Sequence, residues 1–172
     1  MTLTLELINQ DDIPAVAALA GAAFREDAGH MPALPQGAQP AVHDDVAKHA
    51  EWMKDKTYYK CTKGDSLVGG LILQVAGGKG SVFGLHVGPD YMNQGIGSWM
   101  LHTGMGLWPK VAFWTLETPD YAIRNHHFYE KNGFLKVGHT AVVPKIGFGF
   151  VQYEKRTQHD ARADALTRAT QL

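Results

Sequence analysis

Leu85-His86-Val87-Gly88-Pro89-Asp90-Tyr91-Met92-Asn93-Gln94-Gly95-Ile96-Gly97-Ser98 is the stretch on which the fold turns. An apolar strand runs into a Gly-Pro break, and a Gly-X-Gly opens the helix that follows. A helix N-terminus leaves backbone N–H groups without intrahelical partners and carries a partial positive charge. Both features suit a phosphate. Gly95 and Gly97 have no side chain to hold an anion off the backbone. Two familiar phosphate loops are excluded. A dinucleotide fingerprint needs a third glycine three residues after Gly97, where Met100 stands. A P-loop needs Gly-Lys-Ser/Thr at the helix start, where the chain has Gly97-Ser98-Trp99. The nearby Gly78-Lys79-Gly80-Ser81 runs into a strand, not a helix, and reads as a turn.

Upstream of this stretch the pattern alternates. Thr57 to Thr62 reads as a strand, Lys63-Gly64-Asp65 as a hairpin turn and Ser66 to Ala76 as the partner strand. After the turn Gly77 to Gly80, Ser81 to Val87 completes a meander. At the start of the chain, Leu3, Leu5 and Leu7 alternate with Thr4, Glu6 and Ile8, a first strand. Asn9 to Asp12 supply N-caps, and Pro14 suits the first turn of a helix running to about Arg25. Its apolar stripe is Ile13, Val16, Ala17, Leu19, Ala20, Ala23 and Phe24. Gly29 to Pro40 is rich in Pro and Gly and reads as a loop. A second helix is expected from Val42 to Lys54, with Val42, Val46, Ala50 and Met53 on its dry side.

Downstream, a helix from about Gly95 to Leu107 stops before Pro109. Val111 to Glu117 reads as a strand and Tyr121 to Lys131 as a helix ended by a left-handed cap at Asn132-Gly133. Leu135 to Val143 and Gly147 to Lys155 read as a final hairpin. Thr157 to Leu172 is polar and Ala-rich, a tail. The expectation is a single domain over residues 1–156 followed by a tail over 157–172. The order is one strand, two helices, three strands, a helix, a strand, a helix and two strands. That is an α/β or α+β mixed sheet with helices on its faces.

Composition narrows the function. A chain of 172 residues, 45% hydrophobic, can bury a proper core as one domain. The formal net charge of -1 offers no basic field for nucleic acid or an anionic membrane. No run approaches the ~18 apolar residues of a membrane span, and the N-terminus lacks the basic start of a signal peptide. The setting expected is soluble, reducing and cytoplasmic. Cys61, the lone cysteine, reads as a small strand hydrophobe. His126 and His127 are consecutive, so they leave the helix on different faces and cannot pair on a metal; no metal is implied. Trp52, Trp99, Trp108 and Trp114 read as core. The acids Glu26, Asp27, Asp44, Asp45, Glu51 and Asp55 read as a solvated face, or alternatively as an attraction for a cationic amine.

A second motif follows about thirty residues on: Asn125-His126-His127-Phe128-Tyr129-Glu130-Lys131-Asn132-Gly133-Phe134. Pro89 through Leu101 resembles the acyl-CoA loop of the GNAT acetyltransferase superfamily, Arg/Gln-X-X-Gly-X-Gly/Ala. The second motif resembles that superfamily's Phe-Tyr-Glu-Lys-X-Gly-Phe helix. The order of elements matches over roughly residues 2 to 155. Three positions depart from the pattern. Met92 stands where Arg or Gln is usual, and Ala122 and Asn125 stand where many members have Asn and Ala.

The resemblance implies a GNAT-like fold of seven strands, largely antiparallel, with a splayed central parallel pair and four flanking helices. It implies acetyl-CoA as co-substrate and a small-molecule or peptide amine as acceptor. The pantetheine arm would pair with backbone groups of Leu85, His86 and Val87, and the Val87 N–H would polarise the thioester carbonyl. The pyrophosphate would rest on Asn93, Gln94, Gly95, Ile96, Gly97 and Ser98, beside Met92, with Asn125 a further neighbour of the cofactor. Tyr129 would be the general acid, since a phenol stays protonated at neutral pH. The base is open. Histone-type members use a Glu early in the strand before the loop, and Ser81 stands at the matching position. Glu117, His86 or a water chain could serve instead. The rival readings are a longer-acyl transferase, a CoA-binding sensor without catalysis and a nucleotide-binding regulator, the last disfavoured by the two failed phosphate motifs. The loop Gly29 to Pro40 and the final hairpin are expected to set the acceptor, and a homodimer is an open alternative to a monomer.

Overall fold

The structure, a computed structural model, describes residues 2–27, 29, 31–37 and 42–157. Strand β1 (Leu3–Leu7) leads to a reciprocal capping box. The Asn9 side chain accepts from the N–H groups of Asp11 and Asp12, at 2.8 and 3.3 Å. The Asp12 carboxylate accepts from the Asn9 N–H at 2.9 Å. Helix α1 (Ile13–Asp27) follows, with Pro14 in its first turn. It buries Ile13, Val16, Ala17, Ala20 and Ala23, as the stripe predicts.

Helix α2 spans Val46–Asp55, a later start than the pattern suggests. Asp45 decides it, because its carboxylate accepts from the N–H groups of Ala47 and Lys48 at 2.9 and 3.2 Å. Val42 falls outside the helix, and both Val42 and Val46 are exposed. The dry side is centred on His49, which is 2% exposed. His49 Nε2 donates to the His43 carbonyl at 2.9 Å, so Nδ1 is left to accept from the Tyr58 hydroxyl at 2.8 Å. The expected Gly29 to Pro40 loop lies partly outside the described residues.

Strands β2 (Thr57–Lys63), β3 (Ser66–Ala76) and β4 (Lys79–Val87) form the expected meander. β4 starts earlier than Ser81 because the turn is Gly77-Gly78 alone, with φ of 57° and 76°. Helix α3 (Ile96–Gly106), strand β5 (Phe113–Pro119) and helix α4 (Ile123–Lys131) follow. Val111 precedes β5 as a buried core residue, and Gly133, with φ of 84°, ends α4. Strands β6 (Leu135–His139) and β7 (Phe150–Arg156) are shorter than expected. Their ladder slips between Lys136 and Gly138, and beyond it only a Val143–Phe148 bridge remains. Thr157 N–H donates to the Ala112 carbonyl at 3.0 Å; the rest of the expected tail, 158–172, lies outside the described residues.

The sheet has seven strands in the order β1-β2-β3-β4-β5-β7-β6. Every pair is antiparallel except β4 with β5. One face carries α1 and α2, packed through Ile13 and Val16 on Tyr58 and Ile72. The other carries α3 and α4, over a core of Leu71, Leu73, Leu101, Trp114, Phe134 and Tyr153. Cys61 is fully buried, and burial pushes its thiol up to about 11. No helix among the described residues is long and apolar enough to cross a membrane.

One pairing positions the site. β4 and β5 join only at Lys79–Phe113, Gly80–Trp114 and Ser81–Thr115. Beyond Ser81 the two strands part, so the stretch Val82 to Val87 has β3 on one side and a gap on the other. Trp114, fully buried, packs its ring on the Gly80 backbone, where an added Cβ would sit 2.5 Å from the indole. Gly80→Val therefore forces the indole or the strand aside. We expect a loss of about 1–3 kcal/mol of stability, the usual cost of overpacking, measured by urea unfolding against the parent chain.

Candidate active site

Where β4 parts from β5, a cavity of about 490 Å³ opens between the ends of α1, β4, α3 and α4. Its wall includes Leu85, His86 and Val87 from β4, the start of α3, and Asn125 and Tyr129 from α4. The loop into α3 is shaped by two left-handed residues, Asn93 at φ 59° and Gly95 at φ 78°. Gly95 is the N-cap of α3 and gives no side-chain cap. The first turn of α3 holds no acid, so its N–H groups are open to an external anion. Among the described residues the charged ones of the wall are Arg124 and Lys131.

Every residue expected to touch the cofactor lines this cavity except Gln94. The Gln94 side chain turns away, donating to the Asp90 carbonyl at 3.0 Å and standing 3.4 Å from the Lys63 ammonium. The two glycines divide their work. Gly95 supplies the left-handed backbone. Gly97 lets α3 seat against α4, since an added Cβ would stand 3.2 Å from the Phe128 ring. Asn125 lines the cavity while its amide donates to the buried Thr118 hydroxyl at 3.2 Å.

Tyr129 packs its ring against Phe128, Phe134 and Tyr153, at centroid distances of 5.1, 5.8 and 6.2 Å. Burial pushes its hydroxyl up to about 12, so it carries its proton at neutral pH. That hydroxyl has no hydrogen-bond partner among the described residues.

His86 packs over Gly70, where a Cβ would meet its ring at 2.5 Å. The residue is 5% exposed and its Nε2 has no hydrogen-bond partner among the described residues. Burial lowers it to about 3, with His49 and His43 adding to the effect. An imidazole so placed stays neutral and is ill suited to hold a proton taken from an amine.

A second cavity, of about 610 Å³, lies on the opposite face of the sheet at the same gap. Ser81, Phe83, Thr115, Glu117, Gln152 and Glu154 line it. Alternation along β5 accounts for this. Leu116 and Thr118 are buried toward α4, so Glu117 points the other way. The Glu117 carboxylate is exposed and accepts from the Gln152 amide at 2.7 Å. Glu117 thus lines this cavity and Tyr129 the first, and the Tyr153 ring, which also lines this one, lies 6.2 Å from the Tyr129 ring.

The other singled-out residues have local work. His126 Nε2 donates to the Pro119 carbonyl at 3.0 Å, and His127 is exposed. Among the described residues no three His, Cys, Asp or Glu side chains are grouped to hold a metal. Asp45 caps α2, Asp44 pairs with Arg25 at 3.5 Å and Asp55 with Lys56 at 2.8 Å. The side chains of Glu26 and Asp27 lie outside the description. The sequence reading passed over Arg124 and Lys131. A faint signal for Arg124 existed: a cation in the first turn of a helix sits at the end where the helix dipole disfavours it.

Comparison with known proteins places this geometry. Residues 54–136 match the acetyltransferase (GNAT) domain family. No curated protein matches the chain in sequence. A GCN5-related N-acetyltransferase from Rhodopseudomonas palustris superposes with a TM-score of 0.74 at 19% identity, over 91% of this chain and 97% of that one. The ribosomal-protein-S18-alanine N-acetyltransferase from Escherichia coli gives 0.71 at 19%, over 90% and 94%. The PaiA N-acetyltransferase from Thermoplasma acidophilum, in complex with coenzyme A, gives 0.70 at 16%, over 91% and 100%. The chain has the GNAT fold, with the parallel β4–β5 pair that the resemblance implied.

The buried imidazole makes stability depend on pH. In an unfolded chain His86 titrates near 6.5, and in the fold at about 3. Below 6.5 the unfolded chain gains a proton that the fold refuses. Its contribution is complete above 6.5 and is lost as the pH falls toward 3. The slope approaches about 1.4 kcal/mol per pH unit for one such group. His43, also lowered by burial, acts in the same direction. Denaturant unfolding at roughly pH 7, 6 and 5 should show the fall, and His86→Leu should show a shallower one.

Proposed function

We propose that this GNAT-fold chain is an N-acetyltransferase that moves an acetyl group directly from acetyl-CoA to a primary amine. The observation that carries this reading is the gap between β4 and β5 with a cavity on each side. One cavity offers what the cofactor needs: a helix start without a side-chain cap and two cations. It also offers the unpaired edge of β4, where a pantetheine amide can take the place of a strand. The coenzyme A held by the Thermoplasma acidophilum structure supports the assignment. The other cavity is then the approach for the amine.

Bound acetyl-CoA supplies an acyl group activated as a thioester. The chain supplies position and protons. The backbone of Leu85, His86 and Val87 orients the arm, and the Val87 N–H donates to the thioester carbonyl oxygen. Tyr129, held protonated by burial, donates to the sulfur as it leaves. An alkyl amine arrives charged, with a pKa near ~10.4. Glu117, on the acceptor side, takes its proton directly or through water. Neither metal nor a covalent acyl-protein is needed, and Cys61 is buried in β2.

The reading is tested by release of free thiol from acetyl-CoA across a panel of primary amines, among them polyamines, amino acids and peptide N-termini. No turnover with any amine, despite cofactor binding, would favour a sensor of the same fold. With an acceptor in hand, Tyr129→Phe should lower turnover by about 10²-fold, the loss expected for a general acid, with little change in acetyl-CoA affinity. Wild-type turnover in that variant, with chemistry rate-limiting, would remove Tyr129 from the mechanism.

A further inference from the structure

We infer that Asp120, which follows β5, is a positioning residue for the acceptor. It pins the strand end that holds Phe150 as a wall of the second cavity. This rests on the function proposed above, in which that cavity is the approach for the amine.

Asp120 and Gly149 stand next in register after the Pro119–Phe150 pair. In a regular antiparallel pair of this kind the two residues exchange two backbone bonds. Here the Asp120 N–H donates to the Gly149 carbonyl at 3.0 Å. The return bond is different: the Gly149 N–H donates to Oδ2 of the Asp120 carboxylate, at 3.0 Å. The side chain thus stands in for the backbone carbonyl, and the chain can leave the sheet at once. It turns toward α4 through a bond from the Ala122 N–H to the Pro119 carbonyl, at 3.0 Å. The His139 Nε2 of β6 stands 3.5 Å from the same carboxylate oxygen. Gly149 is fitted to this clamp, since an added Cβ would lie 2.8 Å from the Thr140 carbonyl oxygen and 3.2 Å from Asp120 Oδ2.

The clamp is felt at the next residue. The Phe150 N–H donates to the Thr140 hydroxyl and its carbonyl accepts from the Thr140 N–H, both at 2.8 Å. Alternation buries Val151 and Tyr153 and turns Phe150 to the other face with Gln152. There it lines the second cavity together with Glu117. Phe148 packs edge-on against Phe150 at 5.6 Å and against Tyr121 at 4.9 Å. Asp120 lines neither cavity, so it acts through Phe150 and not by touching an amine. The short segment from Glu117 to Asp120 thereby carries both the proposed base and the anchor of a cavity wall.

The test uses the full-length chain, an amine that the panel shows to be an acceptor, and calorimetric binding of CoA. Asp120→Ala should raise the amine KM by about tenfold, the scale of one hydrogen bond to a charged group. Both kcat and CoA affinity should stay near those of the parent chain. Asp120→Asn keeps an oxygen that accepts from Gly149 and should recover most of the loss. Phe150→Ala removes the wall and leaves the clamp, and it should raise the amine KM as well. The double variant Asp120→Ala, Phe150→Ala should then be no worse than Phe150→Ala alone. If Asp120→Ala does not fold, Asp120→Glu, which keeps the charge and displaces the oxygen, takes its place in the same cycle. An unchanged amine KM at position 120 overturns the inference, as do effects that multiply in the double variant. An equal loss of CoA affinity also overturns it, because it marks a general loosening of the fold. A parent chain that binds CoA but turns over no amine in the panel would instead bring down the function proposed above, and the inference with it.

Discussion

The indole of Trp114 lying flat on the backbone of Gly80 is the contact on which the rest of the molecule depends. It closes the middle of the sheet at three rungs and no further. Buried backbone groups must find partners. β5 finds them on its other side, in a full ladder with β7. β4 finds half of them in β3 and keeps the other half facing a gap. A sheet edge is usually a hazard managed at the periphery. Here one lies at the centre of the fold.

The two sides of that gap differ in charge because the helices above them differ. The face with α3 and α4 receives the start of α3 and two cations. The face beyond α1 and α2 is left to strand residues, among them Glu117 and Glu154. An anionic carrier and a cationic acceptor would thus meet across the sheet, each drawn by its own side. Tyr129 lines one cavity and Tyr153 the other, with ring centroids 6.2 Å apart. Both hydroxyls are pushed up to about 12, mainly by burial. Neither ring therefore adds a charge of its own.

The order of elements was legible in the chain because periodicity is strong, while the parted pair and the cofactor wall were implied by the family resemblance. Alternation placed β1, β2 and β3 within a residue, and the α1 stripe was buried as read. The failures have physical causes. α2 was extended toward Val42 because valine spacing outvoted Asp45, although a single cap carboxylate decides where a helix begins. β4 was shortened because four glycine-rich residues looked like one turn, while only Gly77 and Gly78 take positive φ. Gln94 was placed by its neighbours in the motif, but its side chain had a nearer partner in the Asp90 carbonyl. Glu117 and Tyr129 were named together, yet the chain alone did not reveal that they lie on opposite faces. Arg124 was overlooked because its neighbour Met92 is thirty-two residues away in sequence and side by side in space.

The sealed position of Cys61 has a practical consequence. The chain has one thiol, with no exposed surface and ionising only at about 11. Since the thiolate is the reactive form, the folded protein is nearly silent toward thiol-directed dyes at neutral pH. A chromogen that captures coenzyme sulfhydryl can therefore be followed in the cuvette against an inert protein background. A cysteine introduced at any exposed position would likewise be the single addressable point for a fluorophore, with no native residue to remove first.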